Sequence, residues 1–232
     1  LLGGPVHATM PTYTTVWDNI AADQIGQHTA FKIHLGKIAD TNDVNRFVDV
    51  LKRAREQVGP DVALMVDAWM KWDVRFTFAF AERAAPFKLD WIEEPLPPDD
   101  LTGYAELAKQ SPIPIAGGEH EFTAAAFAEL IERQLHHIVQ PDVCWCGGMT
   151  ELVKIYRLAS AHGVRVCPHR GAELWALPAL AALDRHPLAE SGRPWMTWIG
   201  GQPPIVDGRI AVPTGPGFGV VIEEGIFQSP KR

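Results

Sequence analysis

Asp67, Glu93 and Glu119 stand 26 residues apart (93 − 67 and 119 − 93), each at the end of a short apolar run. Leu64-Met65-Val66 precedes the first, Trp91-Ile92 the second, and Ile113-Pro114-Ile115-Ala116 leads through Gly117-Gly118 to the third. A repeat of that size holds one strand, one helix and two loops. Three successive βα units would therefore each deliver a carboxylate to the same face of an α/β barrel, where side chains at strand ends leave the packed interior. Converging carboxylates repel one another unless a cation sits among them. A donor set of oxygens alone, without Cys or His, suits Mg²⁺ rather than Zn²⁺. A single acid at a strand end is usually a solvated loop residue or a cap. Three in register are not.

The elements that must hold these groups follow the same beat. Residues 6–13 read as a first strand, weakened by Pro11, and residues 17–27 as a short helical stretch. Residues 30–35 form the second strand, with Lys32 and His34 on one side by the period of two. Apolar positions 44, 47, 48, 51, 54 and 58 give a helix over 42–58, stopped by Gly59-Pro60. A helix over 74–85 ends at Pro86, one around 104–108 leads to the strand before Glu119, and Thr123 caps another through 133. Residues 136–140 are the sixth strand, ending at Pro141-Asp142, and a helix from about 150 to 161 closes on Gly163. Residues 164–167 are the seventh strand, with Pro168-His169 at its end. A helix over 175–183 is interrupted by Pro178, and Asp207-Gly208 suits a type I′ hairpin turn within 205–210. The division expected is a barrel over 1–194 and a Gly/Pro-rich tail over 195–232, which folds over the barrel or a further domain rather than joining the sheet.

Composition narrows the classes of function. The 232 residues suffice for one barrel or two smaller domains, and the even run of strands and helices favours one. A net charge of −7, from 21 basic and 28 acidic residues without a Lys/Arg cluster, argues against nucleic acid or an anionic membrane as partner. No apolar run approaches a membrane span. Three cysteines make no disulfide framework, so a reducing cytoplasm is expected. Cys144, Cys146 and Cys167 with His169 lack structural-zinc spacing. The start at Leu1-Leu2-Gly3-Gly4, without Met and too short for a signal sequence, suggests a piece of a longer protein.

The strand-end residues Lys32, Asp67, Glu93, Glu119, Asp142 and His169 resemble those of the enolase superfamily, specifically the barrel domain of its mandelate racemase-like branch. The likeness rests on Val66-Asp67, Trp91-Ile92-Glu93-Glu94-Pro95, Gly118-Glu119, Gln140-Pro141-Asp142 with Gly147-Gly148, and Pro168-His169. Asp67-Ala68-Trp69-Met70, Gly118-Glu119-His120-Glu121 and Trp145-Cys146-Gly147-Gly148-Met149 are most similar to the L-rhamnonate dehydratases of that branch. The similarity runs from roughly residue 10 to 221. It implies a modified TIM-like (β/α)7β barrel, with the branch's N-terminal α+β capping domain absent from this chain.

The resemblance also implies roles. Asp67, Glu93 and Glu119 would hold Mg²⁺. Asp142 would orient His169, which takes the α-proton of a sugar acid such as L-rhamnonate and then protonates the departing β-hydroxyl to leave a 2-keto-3-deoxy acid. Glu190 falls where the branch places a carboxylic acid that stabilises the enolate, although the match needs one extra residue after His169; its other reading is an exposed loop acid. Lys32 would hold substrate, its plain reading being a surface lysine. His120 either faces the substrate or packs behind the site. His34 stands where many relatives carry a second lysine, which favours a one-base dehydration over racemisation while leaving His34 as a candidate second base. The alternatives are a racemase or epimerase of the same superfamily and a capless, non-catalytic remnant. Relatives are commonly homo-oligomers, and the same is expected here.

Overall fold

Segments that are apolar on both faces become parallel strands buried on both sides, because helices cover one face and the barrel interior the other. The computed structural model describes residues 2–17, 19–21, 23–35, 44–191, 199–222 and 225. Within it β1 (Thr9–Trp17), β2 (Ala30–His34), β3 (Ala63–Asp67), β4 (Ile92–Glu93), β5 (Ile115–Gly117), β6 (Ile138–Val139) and β7 (Arg165–Val166) pair in sequence order, all parallel. β8 (Ala189–Glu190) returns to the other side of β1. Between β7 and β8 the seam is bridged by side chains and loops: Arg170 N–H donates to Glu190 Oε2 (2.8 Å), and Cys167 Sγ donates to the Leu188 carbonyl (3.3 Å).

Register is what turns the 26-residue spacing into a site. His34 is level with Asp67, Asp67 with Glu93, and Glu93 with Ala116, so the C-terminal ends of four neighbouring strands lie in one layer. Helices α1 (Val44–Val58), α2 (Val74–Ala84), α3 (Leu101–Gln110), α4 (Thr123–Glu132), α5 (Met149–His162) and α6 (Leu177–Leu183) pack their apolar faces on the outside of the ring. A second, smaller cluster fills the inside: Tyr13, Ala30, Met65, Trp91, Ala116, Ile138 and Cys167. Trp91 and Glu93 point to the same side of their segment by the period of two, so the buried indole is the floor beneath the carboxylate.

Four expectations are corrected. Trp17 closes β1 instead of opening a helix, and the described residues between 19 and 29 form turns with an isolated Ile25–His28 bridge; Asp18 and Ala22 lie outside the described residues, as do 42 and 43 of the expected first long helix. Thr123 is the first residue of α4 and caps nothing; the Glu151 carboxylate accepts from the Ala124 N–H (2.8 Å) in its place. Pro178 does not interrupt α6 but sits in its first turn, where a missing N–H costs nothing. The hairpin β9 (Ile205–Val206) and β10 (Arg209–Ala211) joins the sheet, pairing antiparallel with Thr9–Pro11 of β1. Its turn residues Asp207 and Gly208 both have positive φ, as type I′ requires. The expected division at residue 194 lies outside the described residues.

His136 gives the barrel a measurable acid sensitivity. The ring is buried beside Tyr104 (centroids 4.3 Å apart), its Nδ1 has no hydrogen-bond partner, and burial pushes its pKa down to about 3. The unfolded chain takes up a proton near pH 6.5 that the folded chain refuses. The contribution to stability is complete above that pH and is lost as pH falls towards 3, at about 1.4 kcal/mol per unit. Between pH 7 and 5 we expect a loss of about 2 kcal/mol that His136→Phe removes, measured as the difference in pH slope of urea unfolding. Equal slopes in both proteins would exclude this origin.

Candidate active site

Lys32, from the middle of β2, points into the barrel and is buried among carboxylates. Its ammonium bonds to Glu93, and lies 3.0 Å from Glu190 Oε1 and 3.7 Å from Asp67 Oδ2. Burial alone would discharge it, but Glu190, Glu93 and Asp67 hold its pKa well above the ordinary lysine value. Each acid is fixed from elsewhere. Trp91 Nε1 and Gln140 Nε2 donate to Glu93 Oε2 (3.1 and 2.6 Å), Trp69 N–H donates to Asp67 Oδ1 (2.9 Å), and Thr15 Oγ1 donates to Glu190 Oε1 (2.7 Å). Glu190 is thus buried on β8, and not an exposed loop acid. Against its burial, Lys32 and His169 hold its pKa down at about 2, so it stands as a carboxylate.

Across the mouth, His169 Nδ1 donates to Asp142 Oδ2 (2.8 Å), whose other oxygen accepts from the Cys144 N–H (2.7 Å). An ionised carboxylate only accepts, so the proton of a neutral ring sits on Nδ1 and the Nε2 lone pair faces the site. Burial works against the imidazolium, yet the Asp142 bond, with Glu190 and Glu119, raises the pKa of His169 to about 9. A divalent cation nearby would bring it back towards neutrality. Glu119 Oε2 lies 3.4 Å from His169 Nε2. Its placement needs glycine before it: Gly118 has φ +112, and a Cβ there would come within 2.9 Å of Phe127. His120 Nδ1 donates to both oxygens of buried Glu94 (3.0 Å each), and its Nε2 lies 3.8 Å from Glu119 Oε1. Trp69, Met70, Glu94 and Arg170, which follow strand ends, all have left-handed φ, and such strain gathers at working sites.

A cleft of about 240 Å³ joins these groups, lined by Lys32, Asp67, Glu119, His169 and Glu190 together with Thr14, Thr15, Trp17, His34, Trp69, Arg170 and Ser191. His34 lies flat on Trp17 (centroids 3.9 Å, 26°), with Nε2 3.8 Å from Asp67 Oδ2. Lys32, His34, Asp67, Glu119, His169 and Glu190 thus line one cleft, while Glu93 and Asp142 are buried against Lys32 and His169 and His120 stands beside Glu119, so the expected residues gather without forming one cage. Among the described residues, the set of three whose ligand atoms all lie within 4.8 Å of one another is Glu94, Glu119 and His120. Asp67, Glu93 and Glu119 are spread more widely, with Lys32 lodged between the first two. Sequence reasoning missed Glu94, Gln140 and Thr15 as site residues. Glu94 and Gln140 left a trace there only as neighbours of other residues, in Glu93-Glu94-Pro95 and Gln140-Pro141-Asp142, and Thr15 left none.

The donor set fits a hard divalent cation. The Lys32 ammonium pairs with Asp67, Glu93 and Glu190, while Glu119, among the described residues, faces only the rings of His169 and His120. Burial and mutual repulsion push Asp67 up to about 6 and Glu93 and Glu119 to about 7. Buried carboxylates so short of positive charge are what an oxygen-bound ion relieves.

Comparison with known proteins agrees with this geometry. Residues 18–226 match the enolase C-terminal domain-like family. The chain is 38% identical to the L-rhamnonate dehydratase of Saccharopolyspora erythraea over 95% of its own length and 60% of that protein's. Among solved structures, the rhamnonate dehydratase of Gibberella zeae complexed with Mg superposes with a TM-score of 0.85 at 27% identity, over 97% of this chain and 58% of that one. The L-talarate dehydratase of Polaromonas sp. JS666, complexed with Mg and L-glucarate, gives 0.82 at 30% identity over 97% and 64%. The chain thus spans about 60% of the length of the curated relative it matches. A parallel barrel with acids on three successive strand ends and an Asp–His pair on the next two agrees with the sequence match, and the chain belongs to the enolase C-terminal domain-like family.

Proposed function

We propose that the protein is a Mg²⁺-dependent dehydratase of a sugar acid, with L-rhamnonate or a similar aldonate as substrate. The observation that carries this reading is His169, held by Asp142, sharing one cleft with Asp67 and Glu119, with Glu93 buried level with Asp67 on the next strand. The names of the relatives support the reaction class, and the Mg in two related structures supports the ion.

In this reading His169 Nε2 takes the proton next to the substrate carboxylate, with Asp142 holding the ring by Nδ1 and stabilising the charge it acquires. The same imidazolium then gives its proton to the departing β-hydroxyl, and the enol left behind becomes the 2-keto-3-deoxy acid. A bound Mg²⁺, held by Asp67, Glu93 and Glu119, would stabilise negative charge developing on the substrate carboxylate. Lys32 and Glu190 form the floor beside it, while His34, stacked on Trp17 and near Asp67, serves as a wall of the cleft. Cytoplasmic location and a homo-oligomeric state are part of the same proposal; among the described residues no helix is long and apolar enough to cross a membrane.

The test is an aldonate dehydration screen with Mg²⁺, detecting 2-keto-3-deoxy product, on the 232-residue chain and on any longer product of its gene. We expect turnover of L-rhamnonate or a close analogue, abolished by chelation and restored by Mg²⁺. Exchange of the α-proton with solvent in both configurations, without elimination, would replace the dehydratase reading by a racemase.

A further inference from the structure

The three acids proposed to hold Mg²⁺ are not equally held themselves. Asp67 is fixed by the Trp69 N–H, and Glu93 by Trp91, Gln140 and Lys32. Glu119 has no hydrogen bond among the described residues. Its two oxygens face two imidazoles: Oε2 is 3.4 Å from His169 Nε2, and Oε1 is 3.8 Å from His120 Nε2. His120 is anchored in the same manner as His169. Its Nδ1 donates to Glu94, a carboxylate only 3% exposed, 3.0 Å from each oxygen. Two carboxylate-backed imidazoles therefore flank one carboxylate.

We propose that Glu94 and His120 are a positioning pair for Glu119, fixing the one acid of the divalent-cation site that no hydrogen bond holds among the described residues, and not ligating the ion themselves. Nδ1 of His120 carries the proton it gives to Glu94 and so has no lone pair for an ion, while Glu94 is committed to the buried, charge-assisted bond that orients the ring. What remains facing the mouth is Nε2, on the side of Glu119 opposite the base. His169 must leave Glu119 to reach a substrate proton; His120 has no such duty and stays. Partners that orient a ligand in this way are worth about 10- to 100-fold in metal affinity.

This inference rests on the cation reading above, and the experiment separates the two. Mg²⁺ dissociation constants are measured by calorimetry on the 232-residue chain as wild type, His120→Asn, Glu94→Gln and Glu93→Gln, with the unfolding temperature of each recorded in chelator. Asparagine keeps a donor for buried Glu94 but has no Nε2, so His120→Asn should unfold close to the wild-type temperature yet bind Mg²⁺ about 10- to 100-fold more weakly; Glu94→Gln, which keeps one acceptor oxygen, should fall between. Wild-type affinity in His120→Asn, alongside lost binding in Glu93→Gln, would overturn the positioning role and leave the cation site standing. Weaker binding accompanied by a large fall in metal-free stability would also overturn it, because the effect would then be structural. No Mg²⁺ binding by the wild type removes both readings.

Discussion

His169→Asn is expected to lower turnover of the best aldonate by about 10²- to 10⁴-fold, the usual contribution of a positioned acid–base group, with Mg²⁺ affinity little changed. The size follows from the geometry. His169 is the one described imidazole whose Nδ1 is held by a carboxylate at 2.8 Å while its Nε2 opens on the cleft that contains Lys32 and Asp67. His34, the other ring lining that cleft, is buried flat against Trp17. Asparagine keeps a group that can donate to Asp142, so the buried acid is not stranded, but it has no basic nitrogen. Its amide cannot take a proton from carbon at neutral pH. The measurement is steady-state turnover in whichever form of the protein is active, paired with Mg²⁺ calorimetry. More than a tenth of wild-type turnover would remove His169 as the base. A parallel loss of Mg²⁺ binding would make it part of the ion site instead. The contrast with His120 sharpens both cases: one histidine should change rate and spare the ion, the other should change the ion's affinity.

The barrel was legible because its period is long and carried by residues that cannot be mistaken for one another. Apolar runs ending in Asp67, Glu93 and Glu119 stay in register only if each intervening segment contributes one helix, and the parallel ladder does place these ends level. Less visible were elements whose length is set by neighbours rather than by their own pattern. β8 has two residues after Pro187, too few for any alternation, and exists because β1 offers it an edge. Residues around Trp17 were misread since an alternating strand rich in threonine and aromatics gives a weak period-two signal, and the nine-residue β1 is stabilised by three partners. Glu94 is the instructive case within the site. Neighbours on a strand face opposite ways, which would send Glu94 outward from Glu93. A left-handed φ of 39° at Glu94 ends the alternation and turns its carboxylate towards His120. No local pattern announces that turn. The partners of Lys32 were equally hidden, because Glu93 and Glu190 come from strands far along the chain and only closure of the ring brings them together.

Lys32→Met carries the largest stability effect we expect, about 3–5 kcal/mol at pH 8 without Mg²⁺, the range seen when one member of a buried ionic group is removed. Methionine fills much the same volume, so the loss is electrostatic and not a cavity. The lysine is 2% exposed and faces Glu93, Glu190 and Asp67, with the Tyr13 ring 5.7 Å from its ammonium. Without it Glu190 loses its main stabilising charge, while Asp67 and Glu93, already raised to about 6 and 7 by burial, rise further. The sign of the pH effect follows. Carboxyl groups whose folded pKa exceeds the unfolded value near 4 take up protons on folding, so they favour the folded state at low pH and lose that contribution as pH climbs through the folded values. The gap between variant and wild type should therefore narrow towards pH 5 and widen towards pH 8. Mg²⁺ should close part of it by supplying the missing positive charge, an effect that grows with ion concentration. Urea unfolding at pH 5 and 8, with and without Mg²⁺, resolves all of this. A penalty independent of both pH and Mg²⁺ would mean that Lys32 acts through packing alone, and that the acids around it are not short of charge.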